Sequence, residues 1–353
     1  MNLDFSDDQK ALKEQVRRLL ADKCKPSVVR KILEGSEPYD KALYAALAEI
    51  GVLGVAIPEE YGGVGLGRLE LCVIAEELGR SIAPVPVASS IYLFAEALLQ
   101  AGTDKQKRAW LPKIASGDVV GTIAYVEGDG PVTPEKLRTV VAGGKISGTK
   151  VPVSDGSSAG VAMVLARSGG DQVSLYLVDL SAAGVSRKGM KTIDPSLDHA
   201  QLTFDKVPAE LVGAEGDGWH ILSQVLDNAA ILMAFEQVGG ADRALEMARD
   251  YALDRMAFGR QIGSFQAIKH MLADMYVAAT LARSNCFYAA WALASGSSEL
   301  PVAAATARVS ATQAFQHCAK NNIQVHGGMG FTWEFDCHLY YRRSNALALA
   351  LGS

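Results

Sequence analysis

The sequence has no block of one charge, no paired cysteines and no apolar run of membrane length, and each absence removes a class of function. Lysine plus arginine number 34 against 39 acidic residues, a formal net charge of -5 spread along 353 positions. That distribution leaves no electrostatic footprint for nucleic acid or anionic lipid, so a small-molecule substrate is expected. The five cysteines (Cys24, Cys72, Cys286, Cys318, Cys337) are odd in number and widely spaced. They form no CxxC pair and interleave with no histidine at ligand spacing, which argues against a disulfide framework and a metal centre. The longest apolar stretches, such as Asn345 to Leu351, fall well short of the roughly 20 residues that cross a bilayer. The acidic start through Phe5, Ser6, Asp7 and Asp8 does not read as a secretory signal, and a cytoplasmic location is expected.

What is present is apolar content: 49% of the residues are hydrophobic, enough for a folded protein of two or three domains. From Asp4 to about Gly117 the period is helical. Ser6-Asp7-Asp8-Gln9 reads as a cap ahead of an amphipathic run through Leu20, and Leu69 to Gly79 reads as helix after the Pro and Gly loop Ile57 to Gly65. Near Val119 the period becomes that of strands, with runs at 121–126, 151–153, 161–165, 173–178 and 201–204 between Gly, Ser and Asp turns. Five such runs predict a compact sheet or barrel. After Gly218 long helical stretches return, Trp219 to Asp254, Ser264 to Ser295 and Leu300 to Val325, as in an antiparallel bundle. The expected divisions are an N-terminal helical domain (1–118), a central β domain (119–212) and a C-terminal helical bundle (213–353).

Two motifs carry chemistry. The segment Tyr251-x3-Arg255-x2-Phe258-Gly259-x2-Ile262-x3-Gln266 joins two long helices through a Gly turn; on composition alone it is a helix corner. The second is Gln324-Val-His-Gly327-Gly328-Met-Gly330-Phe331, followed by Tyr341-Arg342. Closely spaced glycines let a backbone approach a ligand, though three glycines alone usually mark a turn. Both segments, in this order and spacing, resemble those of the acyl-CoA dehydrogenases, as do the Ile57 to Gly63 loop, Gly102 to Pro112, Phe204 to Pro208 and Gly216 to Trp219. The resemblance covers nearly the whole chain. It implies a mainly α fold with a central β domain, namely an N-terminal helical domain, a β-barrel or sheet domain and a C-terminal four-helix bundle. It also implies an oligomer with flavin adenine dinucleotide (FAD) at a subunit interface, an acyl-CoA substrate, and an electron-transfer flavoprotein as acceptor.

In that family a carboxylate removes the proton next to the thioester carbonyl while a hydride leaves the adjacent carbon for the flavin. Counting from Gly327-Gly328 and Arg342, the usual C-terminal glutamate falls at Leu351, and the alternative glutamate of the first bundle helix falls at Ala229. Neither can take a proton. Glu236, seven residues beyond Ala229 and so on roughly the same helix face, is the remaining candidate catalytic residue. A glutamate in that apolar run is more commonly the structural partner of an Arg or Lys. The small residues Ala229, Ala230 and Ala234 suggest a roomy cavity for a branched or polycyclic acyl chain. Where the family has a Thr-Glu-Pro loop on the flavin, this sequence has Val126-Glu127-Gly128. Where it has Trp-Ile-Thr or Trp-Ile-Ser, this sequence has Pro152-Val153-Ser154, keeping only the hydroxyl of Ser154.

The resemblance assigns these lost features to a subunit's own flavin. It assigns Arg255, Phe258, Gln266, Gln324, Gly327 and Gly328 to the flavin of a neighbour. The expectation is a chain that completes a flavin site on a homologous partner subunit, as in heteromeric acyl-CoA dehydrogenases of actinobacterial sterol catabolism. The alternatives are a self-sufficient homo-oligomer using Glu236 and a non-catalytic scaffold subunit of the same fold. Family members normally carry a further stretch of helix beyond the position of Ser353.

Overall fold

A computed structural model describes residues 5–169 and 172–352; Asp4 and the outermost positions of the expected domain ranges lie outside the described residues. The described residues of the first half form six α-helices: Asp7–Lys23 (α1), Pro26–Glu34 (α2), Lys41–Glu49 (α3), Arg68–Arg80 (α4), Glu96–Ala101 (α5) and Asp104–Ala115 (α6). Helix α1 begins where the sequence places its cap: Ser6 Oγ accepts from Gln9 N at 3.2 Å, and Gln9 Oε1 accepts from Ser6 N at 2.9 Å. The reciprocal bonds satisfy two backbone donors that the first turn would otherwise leave open. A π-helical stretch, Ala88–Ala95, leads into α5.

Among the described residues eight strands form the central sheet: Gly121–Ala124 (β1), Val140–Ala142 (β2), Lys145–Ser154 (β3), Val161–Ser168 (β4), Gln172–Asp179 (β5), Val185–Gly189 (β6), His199–Pro208 (β7) and Glu210–Val212 (β8). Their order is β6-β7-β3-β2-β4-β5-β8, with β1 pairing β4 in parallel. Strands β4 and β5 pair over eight residues each and are almost wholly buried, which is why they read as continuous apolar runs. The sequence reading missed β2, β6 and β8. Two of these, β6 and β8, end the strand order, and all three are short and mostly exposed, so they carry little apolar signal.

The remaining helices are Gly218–Asp254 (α7), Gln266–Ser295 (α8), Leu300–His326 (α9) and Cys337–Leu349 (α10), with a two-stranded ribbon, Met256–Ala257 (β9) and Arg260–Gln261 (β10), between α7 and α8. Three match the expected helical stretches; α10 was not anticipated. The fold is therefore mainly α with a central β sheet, as expected. No helix among the described residues is long and apolar enough to cross a membrane.

The chain divides into two compact units. One comprises residues up to 30, 68–83 and 230 onward; the other comprises 31–67 and 84–229. In the first unit α1 packs on α4 through Val16 and Leu20, and its cations reach acids on α4: Lys13 bonds Glu76 at 2.6 Å and Arg17 holds Glu77 through two bonds of 2.8 Å. Helix α4 crosses α7 closely. A Cβ added at Gly79 would lie 1.7 Å from Glu236 O, and one at Gly239 would lie 1.9 Å from Glu76 O. Two glycines thus set the separation of these helices. In the second unit the sheet supplies the core, including Ile146, Val164, Leu175 and Leu202.

Candidate functional site

The helix corner is built by a two-residue hairpin. β9 and β10 pair antiparallel, with Arg260 opposite Ala257 and Gln261 opposite Met256. The turn residues are Phe258 and Gly259, both at positive φ, 52° and 77°. Two consecutive left-handed residues are the preferred way to join twisted strands, but asparagine or glycine normally occupies the first position. A phenylalanine there is strained by about 1 kcal/mol or more. Its ring is 95% exposed, touching Phe265 edge-on at a centroid distance of 6.1 Å. Nothing in the folding of this chain requires an aromatic at that point.

Arg255 leaves α7 just before the hairpin; its N–H donates to Tyr251 O at 2.8 Å and its carbonyl accepts from Ile262 N at 2.9 Å. The backbone is thereby fixed while the side chain stays exposed. Gln266, also exposed, opens α8. On the other segment Gln324 is exposed in the last turn of α9, and Gly327 ends that helix at φ 60°, ψ -137°, a conformation open only to glycine. A Cβ added at Gly327 or Gly328 would meet nothing within 4 Å. The bare backbone there therefore faces open space, room that a ligand's phosphate or ring edge can enter.

Tyr251, four residues before Arg255, stacks on His326, the residue before Gly327, with centroids 4.1 Å apart and planes at 22°. Phe335 closes edge-on against both rings. His326 is buried, its Nδ1 lies 2.8 Å from Asn322 O, and burial lowers its pKa against the pull of that bond. Because a carbonyl oxygen can only accept, Nδ1 is the donor in that bond. Gly330 tightens the same turn, since a Cβ there would lie 2.5 Å from Ile323 O. The stack joins the two motifs: Arg255, Phe258, Gln266, Gln324, Gly327 and Gly328 are all exposed, on two segments tied by one aromatic contact. Sequence reasoning quoted Tyr251 and His326 within the motifs without giving them a role.

Glu236 lies elsewhere. It sits nineteen residues before Arg255 on α7, about 28 Å along the axis at 1.5 Å per residue. It is 8% exposed, with Arg343 Nη1 of α10 at 4.0 Å from Oε1. Burial pushes its carboxyl up to about 7, against the opposing pull of Arg343 and Arg308. Ala229 and Ala234 are fully buried, and Leu351 is half-buried at φ 65°.

In the other unit Ser154 ends β3, half-buried, its carbonyl accepting from Thr122 Oγ1 at 2.7 Å. Pro152, where the resemblance expects an aromatic, is exposed. The rewritten loop is anchored by Glu127, which accepts from Lys150 Nζ at 2.7 Å, Arg138 N at 2.6 Å and Thr139 N at 3.0 Å. Burial would raise the Glu127 carboxyl, but the Lys150 ammonium and those N–H groups hold it below its ordinary value. Lys150 is fully buried, and burial brings it down to about 8 in spite of Glu127. A strand lysine reads as solvent-facing, so nothing in the residue pattern marks this pair. Beside it, Tyr125, Gly128, Pro131 and Arg138 help line a cavity of about 340 Å³. A second cavity of the same size, in the first unit between Arg17, Arg80, Met247 and Tyr340, contains none of the expected site residues.

Comparison with known proteins gives the same family over the whole length. Residues 6–118 match the acyl-CoA dehydrogenase N-terminal domain and residues 216–353 match the acyl-CoA dehydrogenase C-terminal domain. The chain is 32% identical over 348 residues to acyl-CoA dehydrogenase IpdE2 of Mycobacterium tuberculosis, covering 98% of this chain and 94% of that protein. Among solved structures, a Tcur3481-Tcur3483 steroid ACAD variant is 33% identical with a TM-score of 0.89, covering 98% of this chain and 94% of that one. The ChsE4-ChsE5 complex from Mycobacterium tuberculosis is 27% identical with a TM-score of 0.89, covering 99% and 95%. With two family domains matched and a relative of this identity aligned end to end, the chain belongs to the acyl-CoA dehydrogenase family.

Proposed function

We propose that this chain is a subunit of an acyl-CoA dehydrogenase assembly and lends its exposed corner and glycine loop to the FAD of a homologous partner subunit. The observation that carries this is the exposed set itself: an almost fully exposed aromatic in a strained turn, with an arginine and two amides, on segments clamped together by the Tyr251–His326 stack. Strain retained without a packing gain points to a task outside the chain. The residues suit a flavin nucleotide. The Arg255 guanidinium matches a pyrophosphate as a forked donor, Gln266 and Gln324 offer amide donors, and the open backbone at Gly327–Gly328 admits close approach. Phe258 offers a ring face. Bound FAD supplies the hydride acceptor for α,β-dehydrogenation of an acyl-CoA thioester, and an electron-transfer flavoprotein is the acceptor we assign to the assembly.

The positions that serve a subunit's own flavin in this family do not fit that task here. Pro152 has no ring to cover an isoalloxazine, and the Glu127 carboxylate is committed to Lys150 and two backbone N–H groups. Ala229 and Leu351 cannot accept a proton. We assign Glu236 the pairing role rather than that of a base, because it faces Arg343 and Arg308 and is nearly closed to solvent. Ser154 keeps a hydroxyl on the β3 end, the one remnant of an own-flavin strand. The description of one relative as a steroid ACAD and of another structure as a complex of two different chains supports a polycyclic acyl group and a heteromeric assembly. The three-domain division is supported by the matched segments, which leave residues 119–215 between them.

The test is substitution in trans. Arg255→Met in this chain, co-purified with its partner, is expected to weaken FAD retention by the complex roughly 10- to 100-fold, the loss of a charge-assisted hydrogen bond. The fold of the isolated chain is expected to stay unchanged. Undiminished FAD affinity would overturn the proposal.

A further inference from the structure

The cavity of about 340 Å³ in the first unit is lined by four cations, Arg17, Lys25, Arg80 and Arg243, and by two carboxylates, Glu77 and Asp336. The carboxylates are already engaged. Arg17 holds Glu77 through two bonds of 2.8 Å, Arg30 holds Asp336 through bonds of 2.8 and 3.0 Å, and Arg80 takes both oxygens of Glu246. Arg243 reaches an oxygen that Glu246 already shares with Arg80, at 3.2 Å. A guanidinium carries five N–H donors, so one shared oxygen does not exhaust it. Lys25 is exposed and makes no ion pair among the described residues. Among these groups five cations meet three carboxylates, and the wall carries an excess of positive charge.

Between the cations the wall is apolar, formed by Leu20, Cys24, Pro26, Ile82 and Met247. Ile82 follows α4 at φ 43°, in a helix stop: its N–H donates to Gly79 O at 3.1 Å, and the Ala83 N–H donates to Leu78 O at 3.0 Å. Glycine normally fills that left-handed position, and a β-branched residue there is an outlier. Arg343 braces the turn by donating to the carbonyls of Ile82 at 3.1 Å and Ala83 at 3.4 Å. The Ile82 side chain is 2% exposed, so burial offsets the strain. The result is a rigid apolar wall where glycine would leave a gap.

We infer that this cavity is a ligand site for a small organic anion, a carboxylate on a compact apolar body, seated on Leu20, Ile82 and Met247 with its charge toward Lys25 and Arg243. The volume stands at the low end of small-molecule pockets, about 300–1,000 Å³, which excludes a whole acyl-CoA or flavin nucleotide. An inorganic anion would leave the apolar wall uncovered, and a neutral apolar molecule would leave the excess charge unmatched. The inference goes beyond the dehydrogenase reading and does not depend on it, because the cavity holds none of the residues assigned to the flavin.

Calorimetric titration of the full chain with sodium hexanoate tests it, with acetate, inorganic phosphate and 1-hexanol as comparisons. One hexanoate per chain is expected, bound roughly tenfold or more tightly than each comparison, since acetate and phosphate lack the apolar body and hexanol lacks the charge. Replacing both Lys25→Gln and Arg243→Gln is expected to weaken hexanoate roughly tenfold and to leave hexanol unchanged. Lys25→Gln alone serves where the pair does not fold, because Lys25 is exposed. Ala21→Trp, at an exposed position of α1 on the cavity's rim, fills the mouth and is expected to abolish binding. Absence of saturable hexanoate binding would overturn the inference. So would phosphate or hexanol binding as tightly as hexanoate, or full hexanoate affinity retained by Ala21→Trp.

Discussion

Phe258 occupies the left-handed region with its ring 95% exposed, so neither backbone preference nor burial accounts for it. Replacing it with asparagine, the residue such a hairpin prefers, is expected to leave the isolated chain as stable or about 1 kcal/mol more stable by denaturant titration, while FAD retention by the complex falls. A loss of stability would show that the ring serves the chain's own fold. Glu236 gives a second test. Its carboxyl is raised to about 7 from an ordinary 4.5, so the native state binds the proton more tightly than the unfolded state does. Stability from this group is full below pH 4.5 and declines as pH rises through 7, by on the order of 3 kcal/mol. Glu236→Gln is expected to flatten that decline and to be the more stable form at pH 8, read as melting temperature against pH. Parallel curves for the two proteins would show that burial does not raise this carboxyl. The resemblance made Phe258 legible in the sequence but not its strain. It did not reveal that Glu236 faces two arginines, because Arg308 and Arg343 lie 72 and 107 positions away.

Among the elements, the ones that were readable are those with a strong apolar period. α7, α8 and α9 stand within a residue or two of where the sequence placed them, and β4 and β5 announced themselves as apolar runs. α10 did not, because its buried face includes Arg343 and Ser344 beside Leu339, Tyr340 and Leu347; a charged residue at a core position breaks the pattern that periodicity relies on. The π-helical stretch Ala88–Ala95 was equally silent, since its hydrogen-bond register is not a composition signal. The crossing of α4 and α7 depends on Gly79 and Gly239, neither marked by sequence. Gly239→Ala is expected to destabilise the chain by about 3 kcal/mol or more in urea titration, because its Cβ would collide with the backbone carbonyl of Glu76. A change under 1 kcal/mol would mean that the helices can separate freely.

For the whole molecule, the division of labour is the central claim: the exposed corner and glycine loop are furnished for a flavin, while Pro152, Glu127, Ala229 and Leu351 leave the chain's own flavin without ring cover or base. The family followed from order and spacing of motifs along the chain, which one sequence displays in full. The proposed partner dependence rests only on which motif residues are kept and which are replaced. The most direct measurement is FAD content per chain, by visible absorbance and native mass, for this chain alone and co-purified with its homologous partner. The account predicts a colourless lone chain and a complex carrying FAD together with thioester-dependent bleaching of the flavin bands. A lone chain that retains one FAD per polypeptide and turns over acyl-CoA would contradict it.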